Sequence, residues 1–323
     1  MVGSPLPPLP DFLLPEGAAL FSVASFPTLL RSPPSFRLLR QSFITSTARV
    51  ITSSIRPGCL TGCCVALLLA PAAYAHEFWL VPHDGITHEG KRVVFELRIG
   101  PTWPGVQTPR IPDLVSWFQA RDVEGTREVD GREGALAVGN ITARAPGSLV
   151  VAMRTNSAST ELPGDEFNQY LEEEGLNNVL ALREKFGLMD APGREIFSRC
   201  AKSIILVDEQ SQGYDQQMDL PLELVPRTDP LHASTQVPLD LQLLFHGQPL
   251  AGALVKAQLK ADPVVELTAR SNAQGMVSFD LMEPGLWLFN AVHMEPSGDD
   301  SADWESLWSS LTIDLTDQFD QAN

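Results

Sequence analysis

The sequence predicts a mainly β protein, built as two antiparallel β-sandwich units with a short helical insertion between them. Three observations predict this. Apolar residues alternate with polar ones over short runs along most of the chain after residue 90. Gly, Pro and Asn-rich turns separate those runs at short, regular intervals. One stretch, residues 165–187, breaks the alternation and takes helical spacing instead.

From Lys91 to Gly100, residues Val93, Phe95, Leu97 and Ile99 share one face of a half-buried strand. Pro101 to Pro112 holds four prolines and reads as a loop. Strand character resumes at Leu114–Phe118 and again at Ser148–Arg154. In the insertion, Phe167, Tyr170 and Leu171 form one helical face, and Leu176, Val179 and Leu180 another. Asp165 is the expected cap of the first helix, Gly175 separates the two and Gly187 ends the second. Ser203–Val207 reads as a buried strand. After Pro226–Pro238, taken as a linker, alternation returns at Leu239–Phe245, Ala253–Leu259, Val277–Leu281 and Leu286–Met294, with turns between. The expected organisation is a leader over residues 1–75, a β-rich domain over 76–225 and a small Greek-key sandwich over 226–323.

The leader ends in a signal for export. Cys59–Ala72 is an apolar run too short to cross a bilayer and of the length of a signal-peptide core, with Arg49 and Arg56 upstream. Ala73-Tyr74-Ala75 is a small-x-small cleavage site, so the mature chain is expected to begin at His76. Residues 1–48 are rich in Pro, Ser and Leu, longer than such a leader needs, and read as an over-extended start. Leu60-Thr61-Gly62-Cys63 matches a lipidation box in letters, but precedes the apolar core instead of following it. The expected fate is export across the membrane.

Composition narrows the partners. The chain carries a net charge of −17, and the leader holds five Arg against Asp11 and Glu16. The remainder therefore has 18 basic and 38 acidic residues, which disfavours nucleic acid and anionic membranes and suits a protein that attracts cations. Only Cys200 lies outside the leader, so no intrachain disulfide is expected in the mature chain. No later apolar run reaches membrane length.

An amino-terminal histidine has specific chemistry. Its α-amine and ring Nδ1 can close a six-membered chelate on one metal, and the amine has an ordinary pKa of about 7.7–8.0, so a metal displaces its proton at small cost. A second imidazole would give a three-nitrogen site of a kind that suits copper, nickel or zinc. Of the others, His83 and His88 sit in a polar segment, His232 in the linker and His246 in a turn. His293 ends the stripe Trp287, Phe289, Ala291 and precedes an acidic loop, which makes it the expected partner of His76. Asp303 and Glu305 are the carboxylates expected to orient that imidazole or to add an oxygen ligand. No phosphate loop, nucleophile elbow or H-E-x-x-H is present, and Cys200 reads as a buried thiol.

The stretches HEFWLVP, EEEGLNNVLALREKFG, REIFSRCAKSIILV, GQPLAGALVKAQ with SNAQGMVSFDL, GLWLFNAVHM and DWESLWSSLTIDL resemble the DUF4198 family of exported bacterial proteins, in order, over His76 to Leu315. The resemblance implies Ig-like/transthyretin-like sandwiches, the C-terminal one of the carboxypeptidase-regulatory kind. It implies a periplasmic protein associated with nickel or cobalt uptake. It carries the family's post-cleavage histidine onto His76, its later strand histidine onto His293 and its D-W-E-S segment onto Asp303 to Ser306.

Three functions follow as expectations. The first is a periplasmic protein that binds Ni, Co or Cu and delivers it to a membrane transporter. The second is a binding module without metal. The third is a copper histidine-brace oxidase, with Trp79, Trp304 and Trp308 as its aromatic surface.

Overall fold

The computed structural model describes residues 77–315, apart from 235. These belong to one unit spanning Leu67–Asn323. The leader, its cleavage site and His76 lie outside the described residues.

The N-terminal part contributes β1 (Glu77–Pro82), β2 (Ile86–Thr87), β3 (Arg92–Gly100), β4 (Val106–Thr108), β5 (Val115–Asp122), β6 (Gly125–Glu128), β7 (Ala137–Thr142), β8 (Gly147–Thr155) and β9 (Ala158–Leu162). Helices α1 (Gly164–Glu173) and α2 (Asn177–Lys185) follow. Then come the long β10 (Gly193–Val207), β11 (Leu222–Pro226), β12 (Leu239–Phe245), β13 (Gln248–Pro249), β14 (Leu254–Leu259), β15 (Val265–Arg270), β16 (Met276–Phe279), β17 (Leu286–Pro296) and β18 (Trp304–Asp314). The chain is mainly β, as its alternation predicts.

One ten-stranded sheet organises everything, in the path β15-β14-β17-β18-β10-β8-β5-β6 with β2 and β9 paired to β10. A four-stranded sheet of β1, β3, β4 and β7 covers one face, and a four-stranded sheet of β11, β12, β13 and β16 covers the other. Period-two alternation serves both cores at once. On β8, Leu149, Val151 and Met153 enter the core under β3, while Val150 and Ala152 enter the core against β12. On β10, Ala201 and Ile205 go one way, and Cys200, Ile204 and Leu206 the other. Two sandwiches thus share their middle layer, and burial of β8 on both faces explains its unbroken apolar run.

The boundary expected near Val225 falls inside β11, and the long sheet draws strands from both sides of it. The joint is the parallel pairing of β10 with β18, from Glu195 opposite Trp304 to Ile204 opposite Ile313. Parallel pairing needs a long connection, and here the whole second sandwich supplies it.

Local details depart from expectation in three places. The segment Pro101–Pro112 is not all loop, since β4 lies within it and pairs with β3. Asp165 does not cap α1: Pro163 stands at the cap position with no side-chain hydrogen bond, and Asp165 and Glu166 occupy the first turn, where they oppose the helix dipole's positive end. The acidic loop expected over residues 295–303 is shorter, because β17 runs on to Pro296. Gly175, between the helices, takes φ +66°, a conformation a side chain would strain. Among the described residues no helix is long and apolar enough to cross a membrane.

Candidate functional site

Strand β17 carries polar groups on both faces. On the face towards β12, Trp287, Phe289 and Ala291 enter the core and His293 stands at the rim. Its ring meets Phe245 edge-on at 4.5 Å, and His246 meets the same phenyl at 4.4 Å. His293 Nε2 lies 3.2 Å from Glu295 Oε1. Glu295 faces Glu305 directly across the β17–β18 ladder. These residues, with Leu307 and Pro296, line a pocket of ≈ 100 Å³. His246 is exposed at the turn with φ +47°.

Asp303 goes elsewhere. Its carboxylate takes Arg194 Nη2 at 2.7 Å and Nε at 3.1 Å, clamping the start of β10 to the start of β18. The structure therefore brings His293 and Glu305 into one pocket and leaves Asp303 outside it. His83 and His88 are exposed, paired with Glu96 and Asp208, and His232 pairs with Asp229. Cys200 is buried, and burial pushes its thiol up to about 11, as expected of an inert core residue.

The opposite face of β17 bears Asn290, and here strand β1 crosses the sheet. Asn290 Nδ2 donates to Glu77 Oε2, and Lys256 Nζ lies 3.6 Å from Glu77 Oε1. Lys256 also donates to Glu174 Oε1 at 2.8 Å. Burial raises the Glu77 carboxyl to about 8, with Lys256 pulling against it. Burial likewise raises Glu174. Lys256 loses by its own burial, but Glu174 and Glu77 outweigh that and hold it above the usual range. Further along β1, Thr312 Oγ1 donates to the Leu80 carbonyl at 2.8 Å and fixes the strand's height over the sheet.

Beside this lies a second buried carboxyl. Glu195 is 0% exposed. Its Oε1 accepts from Ser306 Oγ and, at 3.2 Å, from the Tyr170 hydroxyl of α1. Trp308 Nε1 donates to Ser306 Oγ at 3.0 Å, and the Trp308 ring stacks on Tyr170 at 5.7 Å. Glu195 Oε2 finds no hydrogen-bond partner among the described residues. Burial raises this carboxyl to about 7, against the hydroxyl donors and the charge of Arg199. Arg199, lowered to about 10 by burial, lies over the rings of Phe78 at 5.6 Å and Phe197 at 4.6 Å.

Among the described residues no group of three or more His, Cys, Asp or Glu is arranged to hold a metal ion. Glu77, the residue next to His76, points to Asn290, on the other face of β17 from His293. A chelate of the expected kind thus depends on His76 itself.

Comparison with known proteins identifies a family. A family described as "Domain of unknown function (DUF4198)" matches residues 73–295, more than half of the chain. The chain belongs to the DUF4198 family. The match spans His76, Glu77, Glu195 and His293 and stops before Asp303 and Glu305. No curated protein matches this DUF4198 chain. Solved structures similar to it include the D0-D1 domain of Intimin, at 9% identity and TM-score 0.20, covering 72% of this chain and 96% of that one. A tetra-tandem repeat in the extending region of a large adhesion protein matches at 12% identity and TM-score 0.19, covering 75% of this chain and 50% of that one. A Salmonella alpha-2-macroglobulin mutant, Y1175G, matches at 9% identity and TM-score 0.18, covering 74% and 15%. Likeness at this level carries no functional argument.

Sequence reasoning missed the Glu77 and Glu195 groups of this DUF4198 protein. A signal was present. In REIFSRCAKS, Glu195, Phe197 and Arg199 share a face, and in WESLWSSL so do Trp304, Ser306 and Trp308. Polar residues alternating with large aromatics on strands buried on both faces mark a buried polar layer.

Proposed function

We propose that this DUF4198 protein is an exported, periplasmic metal-binding protein. In this reading it captures a divalent transition metal, Ni, Co or Cu, through the amine and ring of His76, and passes it to a membrane uptake system. The observation that carries the reading is the anchoring of Glu77. Its side chain is 4% exposed and tied to Asn290 and Lys256, so the chain that follows His76 starts from an anchored residue. A tethered chelate loses less freedom on binding than one on a floppy end. The acid excess of the chain raises the local cation concentration. The pocket of His293, Glu295 and Glu305 is an imidazole–carboxylate place on the other face of β17 from Asn290, the residue that holds Glu77.

The alternatives are a binding module without metal and a histidine-brace oxidase. The oxidase reading needs aromatics on an open surface, but Trp79, Trp304 and Trp308 are all buried.

The test uses two chains, one beginning at His76 and one with a single extra residue in front. Each is titrated with Cu²⁺, Ni²⁺, Co²⁺ and Zn²⁺ by calorimetry. One-to-one binding that is at least tenfold tighter with His76 at the terminus supports the chelate and names the metal. Equal binding, or none, rejects it and leaves the metal-free module.

A further inference from the structure

Glu195 poses a problem that the metal reading does not solve. It is fully buried, and one of its two oxygens is well supplied by Ser306 and Tyr170. The other, Oε2, is buried with no partner among the described residues. A buried carboxylate oxygen without a donor is costly, and proteins retain one where a donor arrives from elsewhere.

The cations nearby are committed. Lys256 is held by Glu174 and Glu77. Arg199 lies over Phe78 and Phe197, and its charge acts on Glu195 without a hydrogen bond to Oε2. Arg183 of α2 is spent on Asn168 and on the Leu188 and Ala191 carbonyls. The place is also beside the start of β1. Tyr170, which donates to Glu195, stands one helical turn before Glu174, and Glu174 shares Lys256 with Glu77. Phe78, next in the chain, packs under Arg199, which occupies the same face of β10 as Glu195. The first residues of β1 therefore reach the same side chains, through Phe78 under Arg199 and through the Lys256 that Glu77 shares with Glu174.

We propose that Glu195, with Tyr170 and Ser306, is a receptor for a primary ammonium, and that its occupant is the α-amino group created at His76 when the leader is removed. The inference rests on processing after Ala75, the same event the metal reading requires. No bond forms or breaks in the docking itself: the ammonium donates hydrogen bonds to Oε2 and places its charge beside the carboxylate. Removal of the leader would then complete the fold locally, because an uncleaved chain has a neutral amide at that position. The docked ammonium and the metal-bound amine are alternative states of one nitrogen.

The test is made in metal-free buffer with chelator, so that it reads docking alone. Three chains are compared: one beginning at His76, one with Gly placed before His76, and Glu195→Gln beginning at His76. The rate at which an amine-acylating reagent modifies the α-amine near pH 7 is followed by mass spectrometry, with melting temperature alongside. Docking predicts at least tenfold slower acylation of the His76 terminus than of either other chain, and a higher melting temperature that Glu195→Gln abolishes. Equal rates in the His76 and Gly-His76 chains overturn the proposal, and this comparison decides even if Glu195→Gln fails to fold. Methylammonium separates the two sources of the ammonium. Stabilisation of the Gly-His76 chain alone supports a receptor filled by the terminus, whereas equal stabilisation of both overturns the terminus as occupant. Slow acylation without metal binding would reject only the metal reading. Tight metal binding with fast acylation would reject only the docking.

Discussion

Asn290 and His293 stand on the same strand and serve opposite faces of the ten-stranded sheet. Asn290 donates to Glu77 beneath β1, and His293 leans on Phe245 at the rim of the β12 core. The two polar regions that chemistry picks out are therefore separated by the sheet itself. Replacing His293 by Ala is expected to change metal affinity of the His76 chain by less than about threefold and stability by about 1 kcal/mol, from loss of packing on Phe245. Calorimetry on that variant checks it. A tenfold loss would return His293 to the metal site.

Glu77 makes stability depend on pH in an unusual direction. Its carboxyl is raised from the ordinary value near 4.5 to about 8 by burial. The folded state thus binds a proton that the unfolded state has released between those values. Stability contributed by this group is full below pH 4.5 and is lost as pH rises through about 8. Urea unfolding of the wild type should show a stability decline on the order of 1–3 kcal/mol between pH 5 and pH 9 beyond that of Glu77→Gln, each pKa unit being worth about 1.4 kcal/mol. Identical pH profiles for the two proteins would refute this assignment.

Lys202 and Glu223 form a fully buried ion pair at 2.6 Å, and Glu223 also accepts from the Met218 and Leu220 amides. Burial lowers Lys202, with Glu223 opposing. Lys202→Met leaves Glu223 charged and unmatched in the core, at a cost of about 3–5 kcal/mol. The double variant with Glu223→Gln is expected to recover part of that loss, because the residual charge is gone. Denaturant midpoints of the four proteins of the cycle measure the coupling.

Gly193 allows α1 to lie on β10. A Cβ there would stand 2.3 Å from Phe167 Cγ. Gly193→Ala should therefore destabilise by about 1–3 kcal/mol through overpacking. It should also lift Tyr170 away from Glu195, so Tyr170 fluorescence quenched by stacked Trp308 should increase. An unchanged spectrum with unchanged stability would show that α1 has room to spare.

Much of the fold was legible because alternation reports a face directly. The stripe Trp287, Phe289, Ala291, His293 was correct in direction, and the helical spacing of Phe167, Tyr170 and Leu171 marked the buried side of α1. What stayed hidden depends on partners distant in sequence. β18 reads as an acidic, serine-rich segment with few β-branched residues, and it is a strand because β10 and β17 flank it on both sides. The burial of Glu195 has the same origin, since a charge in REIFSRC looks exposed until β18 and α1 close over it. The separation of Asp303 from Glu305 was illegible too, because it is Arg194, over a hundred positions earlier, that claims Asp303.

The joint between β10 and β18 has a kinetic consequence. β18 fills the gap between β10, in the first half, and β17, in the second, so neither sandwich has a complete middle layer without residues 304–314. A chain lacking them would present β10 as an open, apolar edge, the kind of template on which other chains pair. Contacts this distant in sequence close late and slowly. The last described strand is thus the keystone on which both halves of the long sheet close.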